Sequence, residues 1–219
     1  MLKALSKKSL SNLLKAINIQ WNEGQPKDIW REIAVIPIPK PGKSLENLED
    51  FRPISLLPVF TKIIESMIKN REEKRILSDH LLPFRSFAFS KHKSATMCLN
   101  QIIHSIKEKQ KSNKFVMAIS VDISRAYDCV DLNILKEELL EFNTDKQSIH
   151  YMLSFLSSRT LKLNLAKTIV NNGLPQGSCV SPLLFNIYTR KIHEIEDETT
   201  YIFQFADDFF ILVFGQEFQ

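Results

Sequence analysis

The sequence contains few glycines, few cysteines and no long apolar run. Its five glycines are too scattered for a Walker phosphate loop or a dinucleotide fingerprint, which excludes both of these nucleotide-binding classes. Its three cysteines form no C-x-x-C pair, so neither a zinc site nor a disulfide framework is expected, and a reducing, intracellular environment is favoured. The longest apolar run, residues 209–214, is far shorter than the roughly 18 residues of a membrane span. No targeting signal is visible, and we expect a soluble protein without a membrane partner.

Charge is distributed unevenly along the chain. Residues 1–120 carry 21 Lys and Arg against 11 Asp and Glu, a net charge of +10, whereas residues 121–219 carry 8 against 14, a net charge of −6. A basic half favours a polyanion such as nucleic acid, because neutralised phosphates release counterions. An acidic half with closely spaced aspartates favours hard divalent cations. Solvated charge on two surfaces is the simpler alternative, since charge asymmetry alone carries little information.

Hydrophobic periodicity predicts an α+β fold. Helical spacing of apolar residues predicts five helices, at 2–19, 59–77, 95–110, 132–142 and 146–157. A sixth helix is predicted at 181–190, because Ser181 followed by Pro182 is typical of an N-cap and a first helical residue. Between them, residues 40–53 have the composition of a polar loop. Strands are predicted at 33–39, 115–121, 161–165, 168–171 and on either side of residues 206–208.

Two of these strands carry a specific expectation about their surroundings. The prolines in residues 33–39 place that strand at the edge of a sheet or end it, because proline donates no ladder hydrogen bond. Residues 115–121 form an unbroken apolar run, which indicates a strand covered on both faces.

Three aspartates lie where predicted strands end. Asp122 follows the run 115–121, and Asp207 and Asp208 lie 85 positions later in the turn of a tight hairpin. If the three strands share a sheet, the carboxylates meet at one end of it, where mutual repulsion raises their pKa values unless cations neutralise them. Two Mg²⁺ ions with oxygen ligands would suit phosphoryl transfer. Aspartate is also favoured in hairpin turns, so a plain turn is the alternative on these residues alone.

Five motifs in a fixed order cover about residues 30–214, namely WREIAVIPIPKPGK, DFRPISLLPVFTKIIE, SVDISRAYDCVD, GLPQGSCVSPLLFNIYT and QFADDFFILV. In this order they resemble the reverse transcriptase domain of non-LTR (LINE-like) retrotransposons, with more distant similarity to group II intron and telomerase polymerases. The resemblance implies a right-hand polymerase, with an N-terminal helix and fingers over residues 1–114 and a partial palm over residues 115–219. The palm would contain an antiparallel sheet with packed helices. Because five residues follow Phe214, the thumb is expected to be absent and an apolar face of the sheet to be exposed.

By this resemblance, Asp122, Asp207 and Asp208 are the catalytic, metal-binding carboxylates, the last two within the (Y/F)ADD box. They would hold two Mg²⁺ ions, with Mn²⁺ as a substitute.

The same resemblance implies a set of substrate-binding residues. Tyr127 corresponds to the aromatic position under the incoming sugar, which favours deoxynucleotides; a packed aromatic is the alternative. Lys40 and Arg52 correspond to basic positions that bind the triphosphate. A lysine supplies a point charge and an arginine supplies two parallel N–H donors, and both suit phosphate oxygens. Lys43 would assist Lys40 or be a solvated loop charge. Gln176 and Gly177 belong to the loop beside the nascent base pair, where glycine and proline also serve the turn itself.

The implied function is that of an RNA-directed DNA polymerase, which adds deoxynucleotides to a primer 3′-hydroxyl by two-metal nucleotidyl transfer. Its partners would be an RNA template, a DNA primer and deoxynucleoside triphosphates, in the nucleus and cytoplasm. The alternatives are a catalytically silent remnant that binds nucleic acid through residues 1–114, and a metal-dependent nuclease. The nuclease is disfavoured because the five histidines have no recognisable metal or catalytic spacing.

One segment departs from the family pattern. Where family members carry a sequence such as FGFRKGHST, this chain reads FAFSKHKSA at residues 87–95, with Ala88 and His92 in place of glycines and Ser90 in place of arginine. Because this segment helps to hold the template strand, we expect a weaker grip. Lys91 and Lys93 either retain some attraction for phosphate or are solvated.

Overall fold

Two β-sheets organise the computed structural model, which describes residues 4–79, 81–112 and 114–216. The first is a mixed sheet whose strands are, in spatial order, β2 (Phe51–Leu56), β1 (Glu32–Pro39), β4 (Arg159–Leu163) and β5 (Ala166–Val170). The second is antiparallel, with the order β3 (Phe115–Asp122), β7 (Asp208–Gly215) and β6 (Thr200–Phe205). The α-helices are α1 (Lys7–Glu23), α2 (Asp28–Arg31), α3 (Val59–Asp79), α4 (Ala95–Lys111), α5 (Leu132–Glu141), α6 (Lys146–Leu156) and α7 (Ser181–Thr189).

The chain divides into two compact units, and each contains one of the sheets. The first unit combines Met1–Lys74 with Tyr127–Ser181, and the second combines Arg75–Ala126 with Pro182–Gln219. The α+β prediction is confirmed, whereas the predicted division into fingers and palm at residue 114 stays a prediction. Across the described residues the three cysteines are free, and no helix has both the length and the apolar character needed to cross a membrane.

The first sheet shows how a proline-rich strand is accommodated. β1 pairs with β4 only through residues 32–34, and its second half, which contains Pro37 and Pro39, pairs with β2 alone. The proline half therefore has the edge position that the sequence predicts, while the first half lies inside the sheet. The polar loop predicted at 40–53 is too long, because the ladder with β1 already begins at Phe51.

The first helix begins and ends where local capping dictates. It was predicted over residues 2–19, of which 2 and 3 lie outside the described residues. The helix starts at Lys7, because the Ser6 side chain accepts a hydrogen bond from the Ser9 N–H at 3.1 Å. It continues to Glu23 and ends at Gly24, whose φ of 68° is the left-handed conformation that glycine adopts without strain.

The core of the second unit lies on one face of its sheet. Phe203 of β6 and Leu212 and Phe214 of β7 pack with three side chains from outside the sheet, namely Phe87, Cys98 and Ile102. Two of those three lie on α4, at the spacing of one helical turn. Lys109 of the same helix also lies 5.0 Å from the centre of the Tyr201 ring and 4.9 Å from that of Phe214, so apolar and cation–π contacts hold α4 against the sheet.

The expectation that β3 is covered on both faces is wrong. β3 pairs only with β7 among the described strands, so it is an edge strand. Its alternate residues Phe115, Met117, Ile119 and Val121 are 39–52% exposed. An apolar run is therefore not proof of burial, and the exposed apolar face expected for this sheet is present.

The segment 87–95 contains a strained residue that suggests a stability test. Exposed His92 has a φ of 62°, and in the family pattern this position is a glycine. A side chain in the left-handed conformation costs free energy that glycine avoids. We expect His92→Gly to raise the free energy of unfolding by about 1 kcal/mol relative to His92→Ala in urea denaturation.

Lys91→Gly is the matched control, because Lys91 is exposed and lies outside the positive-φ residues. This substitution should lower stability, since glycine then only adds freedom to the unfolded chain. A His92→Gly variant no more stable than His92→Ala would contradict the strain.

Candidate active site

The second sheet brings the three predicted carboxylates to one end. In the antiparallel ladder of β3 and β7, Asp122 lies directly opposite Asp208. Asp207 lies in the two-residue turn that joins β6 to β7. Partial burial raises the pKa of Asp208 above its usual value, and the neighbouring charges of Asp207 and Asp122 raise it further. The three side chains therefore sense one another electrostatically, as expected when carboxylates share a site.

The turn between β6 and β7 is tight and strained. Phe205 and Asp208 are paired across it, so Ala206 and Asp207 alone reverse the chain. Ala206 has a φ of 58°, a conformation that two-residue hairpin turns require and that glycine usually supplies. The tight hairpin predicted here is confirmed, and its strained residue directly precedes the two adjacent aspartates.

The donor set at this end of the sheet suits a hard divalent cation. Three carboxylates supply only oxygen ligands, which Mg²⁺ prefers, and a cation would relieve the repulsion that raises the pKa of Asp208. In residues 4–79, 81–112 and 114–216, however, no three His, Cys, Asp or Glu side chains already form a group that could hold a metal ion. The chemistry of the residues therefore fits a metal, while their side chains are not pre-arranged around one.

The predicted triphosphate-binding residues lie in the first unit, around the loop that joins β1 to β2. Lys40 directly follows β1, and its N–H donates to the Asp50 carbonyl at 2.8 Å. Arg52 lies opposite Ile38 in the ladder and is exposed, as is Lys43 in the connecting loop. The three basic side chains therefore belong to one hairpin end, two of them fully available to solvent.

The loop 172–179, which contains Gln176 and Gly177, is fastened to β2. The Ser55 N–H donates to the Gln176 carbonyl at 2.6 Å. Gly177 has a φ of 121°, and a Cβ there would lie 2.4 Å from the Ser55 carbonyl oxygen. Only glycine allows the two backbones to approach this closely. Gly177 is therefore required by the structure of the loop, independently of any contact with a substrate.

Tyr127 is tied to the same loop through its main chain. Its carbonyl accepts from the Leu174 N–H at 2.7 Å, and three residues later Val130 accepts from the Gly173 N–H at 3.0 Å. A Cβ on Gly173 would lie 2.7 Å from the Asp128 carbonyl oxygen, so this crossing also requires glycine. The structure thus links Tyr127, Gln176 and the strand of Arg52 by backbone hydrogen bonds within the first unit.

The sequence of residues 38–217 matches the family model described as reverse transcriptase (RNA-dependent DNA polymerase). This chain belongs to the reverse transcriptase family. The family resemblance inferred from the five motifs is therefore confirmed.

Named relatives include mobile-element proteins of Drosophila melanogaster. The chain is 27% identical to the "Probable RNA-directed DNA polymerase from transposon BS", over 84% of this chain and 21% of the relative. It is 25% identical to the "RNA-directed DNA polymerase from mobile element jockey", over 96% of this chain and 24% of that relative. The chain therefore spans about a fifth to a quarter of the length of these curated relatives.

Among solved structures, the fold is similar to that of a telomerase from Candida tropicalis described in complex with a TWJ fragment of telomeric RNA. The TM-score is 0.60 at 14% identity, and the match covers 95% of this chain and 40% of the telomerase chain. At this identity the likeness shows the fold, and it agrees with the fingers and partial palm expected of the family.

In this reverse transcriptase chain, Lys93 is half-buried and contacts the loop that precedes it. Its ammonium group donates to the carbonyls of Phe84 at 2.7 Å and Ser86 at 2.8 Å, and lies 5.3 Å from the centre of the Phe87 ring. Burial lowers its pKa. The Lys93 ammonium therefore binds the loop that precedes it and is not simply solvated, whereas Lys91 is exposed, and attraction of these lysines for phosphate stays a prediction.

Sequence reasoning missed Glu65, a buried carboxylate behind the Gln176 loop. Its oxygens accept from the Ser178 hydroxyl at 2.8 Å and the Cys179 N–H at 3.2 Å. Burial raises the pKa of Glu65 to about 7, against the lowering effect of these hydrogen bonds. The sequence contains a signal for a buried carboxylate at this position. Glu65 is an acidic residue beside Ile64 and about one turn from Ile68, on the side of α3 that is buried.

Ser178 also caps the following helix, which corrects the prediction made for Ser181. The Ser178 hydroxyl oxygen accepts from the N–H groups of Val180 and Ser181 at 3.2 and 3.1 Å. The Ser181 hydroxyl is buried and has no hydrogen-bond partner within the described chain. The cap is therefore the side chain of Ser178, three residues earlier than predicted, because Ser181 is itself the first residue of α7 and its N–H is one of the free amides.

Arg159 is a second buried charge that sequence reasoning missed, at the other end of the same loop. One of its guanidinium nitrogens donates to the carbonyls of Asn172 and Gly173, the latter at 2.9 Å. Burial lowers its pKa to about 10, and the charges of Asp128 and Glu65 oppose that shift. Loop 172–179 is thus held at its two ends by buried ionisable side chains.

The raised pKa of Glu65 makes stability depend on pH. Between its unfolded value of 4.5 and about 7, Glu65 is ionised when unfolded but protonated when folded, so its contribution to stability falls as pH rises through this window. We expect Glu65→Gln to remove this slope. Relative to the variant, the wild type should lose on the order of 3 kcal/mol of unfolding free energy from pH 4.5 to pH 8.

Urea denaturation of both proteins at several pH values measures this difference. Parallel curves for the wild type and Glu65→Gln would contradict the raised pKa.

Proposed function

We propose that this chain carries the polymerising residues of an RNA-directed DNA polymerase. In this reading it adds deoxynucleotides to the 3′-hydroxyl of a DNA primer, with an RNA strand as template. The observation that carries the proposal is the ladder in which Asp122 faces Asp208, with Asp207 in the adjoining turn, inside the segment that matches the family. A family member with these three carboxylates at one sheet end has the donor set that nucleotidyl transfer needs.

Asp122, Asp207 and Asp208 hold two Mg²⁺ ions in this proposal, and Mn²⁺ can replace them. When bound, such ions lower the pKa of the attacking hydroxyl and neutralise charge on the leaving pyrophosphate. The contribution of the chain itself is to bring three carboxylates to one end of the sheet, two on consecutive residues and the third opposite one of them in the ladder. The raised pKa of Asp208 means that without a cation this residue takes up a proton more readily than an ordinary aspartate.

The basic hairpin end binds the triphosphate. Arg52 is exposed and can offer two parallel N–H donors to phosphate oxygens, while Lys40 and Lys43 supply point charges from the loop that follows β1. The strand that bears Arg52 is held by the Gln176 loop, which limits its movement. A restrained strand favours phosphate binding by Arg52 over the alternative of a solvated charge.

Tyr127 and the Gln176 loop act on the sugar and the base pair. The ring of Tyr127 excludes a 2′-hydroxyl and thereby selects deoxynucleotides. Gln176 and Gly177 contact the nascent base pair, where the glycine backbone permits close approach. Support comes from the backbone hydrogen bonds that fix Tyr127 and Gln176 to one loop.

Primer extension on an RNA template tests the carboxylates. We expect Asp207→Asn to lower the extension rate by about a thousandfold or more, because the loss of one ionic ligand removes stabilisation of the developing charge. Template binding, measured by fluorescence anisotropy, should change by less than about twofold, since contacts to the phosphate backbone dominate affinity.

Asp28→Asn is the matched control, because Asp28 is an exposed aspartate on the first unit, and it should extend primers like the wild type. Extension by Asp207→Asn at the wild-type rate would refute the metal role. Binding without extension by the wild type would favour the silent nucleic-acid binder, and shortening of the substrate would favour a nuclease.

Sugar selection is tested at Tyr127. We expect Tyr127→Val to raise the use of ribonucleotides relative to deoxynucleotides by roughly tenfold or more, because the smaller side chain leaves space for the 2′-hydroxyl. Tyr127→Phe keeps the ring and should keep the selectivity. Single-nucleotide incorporation with each sugar gives the ratio of kcat/KM values, and an unchanged ratio for Tyr127→Val would remove Tyr127 from this role.

A further inference from the structure

Gln204 is a fully buried polar side chain three residues before Asp207. Its side-chain nitrogen donates to the carbonyl of Ala206 at 3.0 Å and to the Thr189 hydroxyl at 2.8 Å. The Ala206 carbonyl belongs to the strained residue of the turn that carries the aspartates. The amide of Gln204 therefore closes this turn from inside the protein.

The orientation of the Gln204 amide is determined by its partners. A carbonyl can only accept, so the nitrogen of Gln204 must face Ala206. The Thr189 hydroxyl donates to the Phe185 carbonyl at 2.9 Å and is left to accept from Gln204. The side-chain oxygen of Gln204 then faces Nε2 of His193 at 3.3 Å.

His193 connects this amide to the partly buried carboxylate of Glu196. Its Nδ1 lies 2.5 Å from a carboxylate oxygen of Glu196, and its Nε2 faces the Gln204 oxygen. Both ring nitrogens therefore face oxygen atoms, one of Glu196 and one of Gln204. Glu196 uses its other oxygen for an ion pair with Arg85.

Arg85 anchors the far end of this chain of contacts. Its guanidinium lies 3.9 Å from the centre of the Tyr201 ring, on the same strand as Gln204. Its carbonyl also accepts from the Gln204 N–H at 2.9 Å, and the Gln204 carbonyl accepts from the Phe87 N–H at 2.9 Å. Gln204 is thus fixed through both its main chain and its side chain.

We propose that Gln204 is a positioning residue for the aspartate turn, held in place by the chain of contacts Arg85–Glu196–His193. The turn needs such a restraint because Ala206 adopts a left-handed conformation that an L-residue leaves readily. The hydrogen bond to the Ala206 carbonyl offsets this cost and fixes the direction in which Asp207 and Asp208 leave the turn. The inference rests on the proposed function, since it is nucleotidyl transfer that requires fixed carboxylates.

The test compares Gln204→Glu with the wild type. Glutamate has the same shape and keeps an oxygen toward His193, but it loses the N–H donors of the amide, and its ionised form cannot donate to Ala206. We expect kcat for primer extension to fall about 10- to 100-fold with KM for the deoxynucleotide changed less than about threefold, because a small displacement of reacting groups slows chemistry more than binding. Gln110→Glu, at an exposed position of α4, makes the same chemical change as a control and should leave both constants unaltered.

Hydrogen exchange provides a readout that does not depend on activity. We expect amide exchange in residues 204–209 to accelerate at least about tenfold in Gln204→Glu, while exchange in the α4 helix stays at the wild-type rate. If a folded Gln204→Glu variant keeps either the wild-type kcat or the wild-type exchange, the inference is overturned. If the wild type itself fails to extend primers, the proposed function fails, and exchange alone decides the role of Gln204.

A measurement on the wild type covers the case in which Gln204→Glu does not fold. The side-chain NH₂ of Gln204 should exchange slowly in ¹⁵N-resolved NMR, because both its donors are buried and bonded. Rapid exchange of the Gln204 NH₂ would overturn the proposal.

Discussion

The antiparallel register of β3 and β7 is the constraint on which the candidate site depends. Side chains alternate between the faces of a sheet, so a slip of one residue would move Asp122 away from Asp208 and to the opposite face. Burial fixes the face that β7 presents, because Leu212 and Phe214 pack in the cluster that contains Phe87, and Val116 of β3 packs against the same cluster. The positions of the carboxylates are thus a consequence of core packing many residues away.

Buried polar and charged groups lie behind the loops that carry the candidate functional residues. Glu65 and Arg159 hold the two ends of loop 172–179 in the first unit, and Gln204 holds the aspartate turn in the second. These loops contain backbone conformations, such as the left-handed one of Ala206, that the hydrogen bonds of helices and strands do not stabilise. A buried donor or acceptor that is satisfied only in one loop conformation selects that conformation, because leaving it unsatisfied costs free energy.

The segment 87–95 shows how a family motif can change its chemistry while keeping its shape. His92 retains the left-handed backbone of the glycine it replaces, at a cost in strain. Asn186 of α7 donates to the Ala88 carbonyl at 2.9 Å, and Lys93 binds carbonyls of the preceding loop. Side chains of the segment itself and of α7 thus stabilise the backbone of residues 87–95 and of the loop before it.

The sequence by itself determined the family, the α+β class, the tight hairpin and the grouping of Asp122 with Asp207 and Asp208. These features follow from local patterns: the period of apolar residues, turn composition and the order of motifs. Only the tertiary structure decided that β3 is an exposed edge, that Ser178 and not Ser181 caps α7, and that Glu65, Arg159 and Gln204 are buried supports. Burial and hydrogen bonding at these positions depend on partners that are mostly far away in the chain, and a local pattern carries no information about such partners.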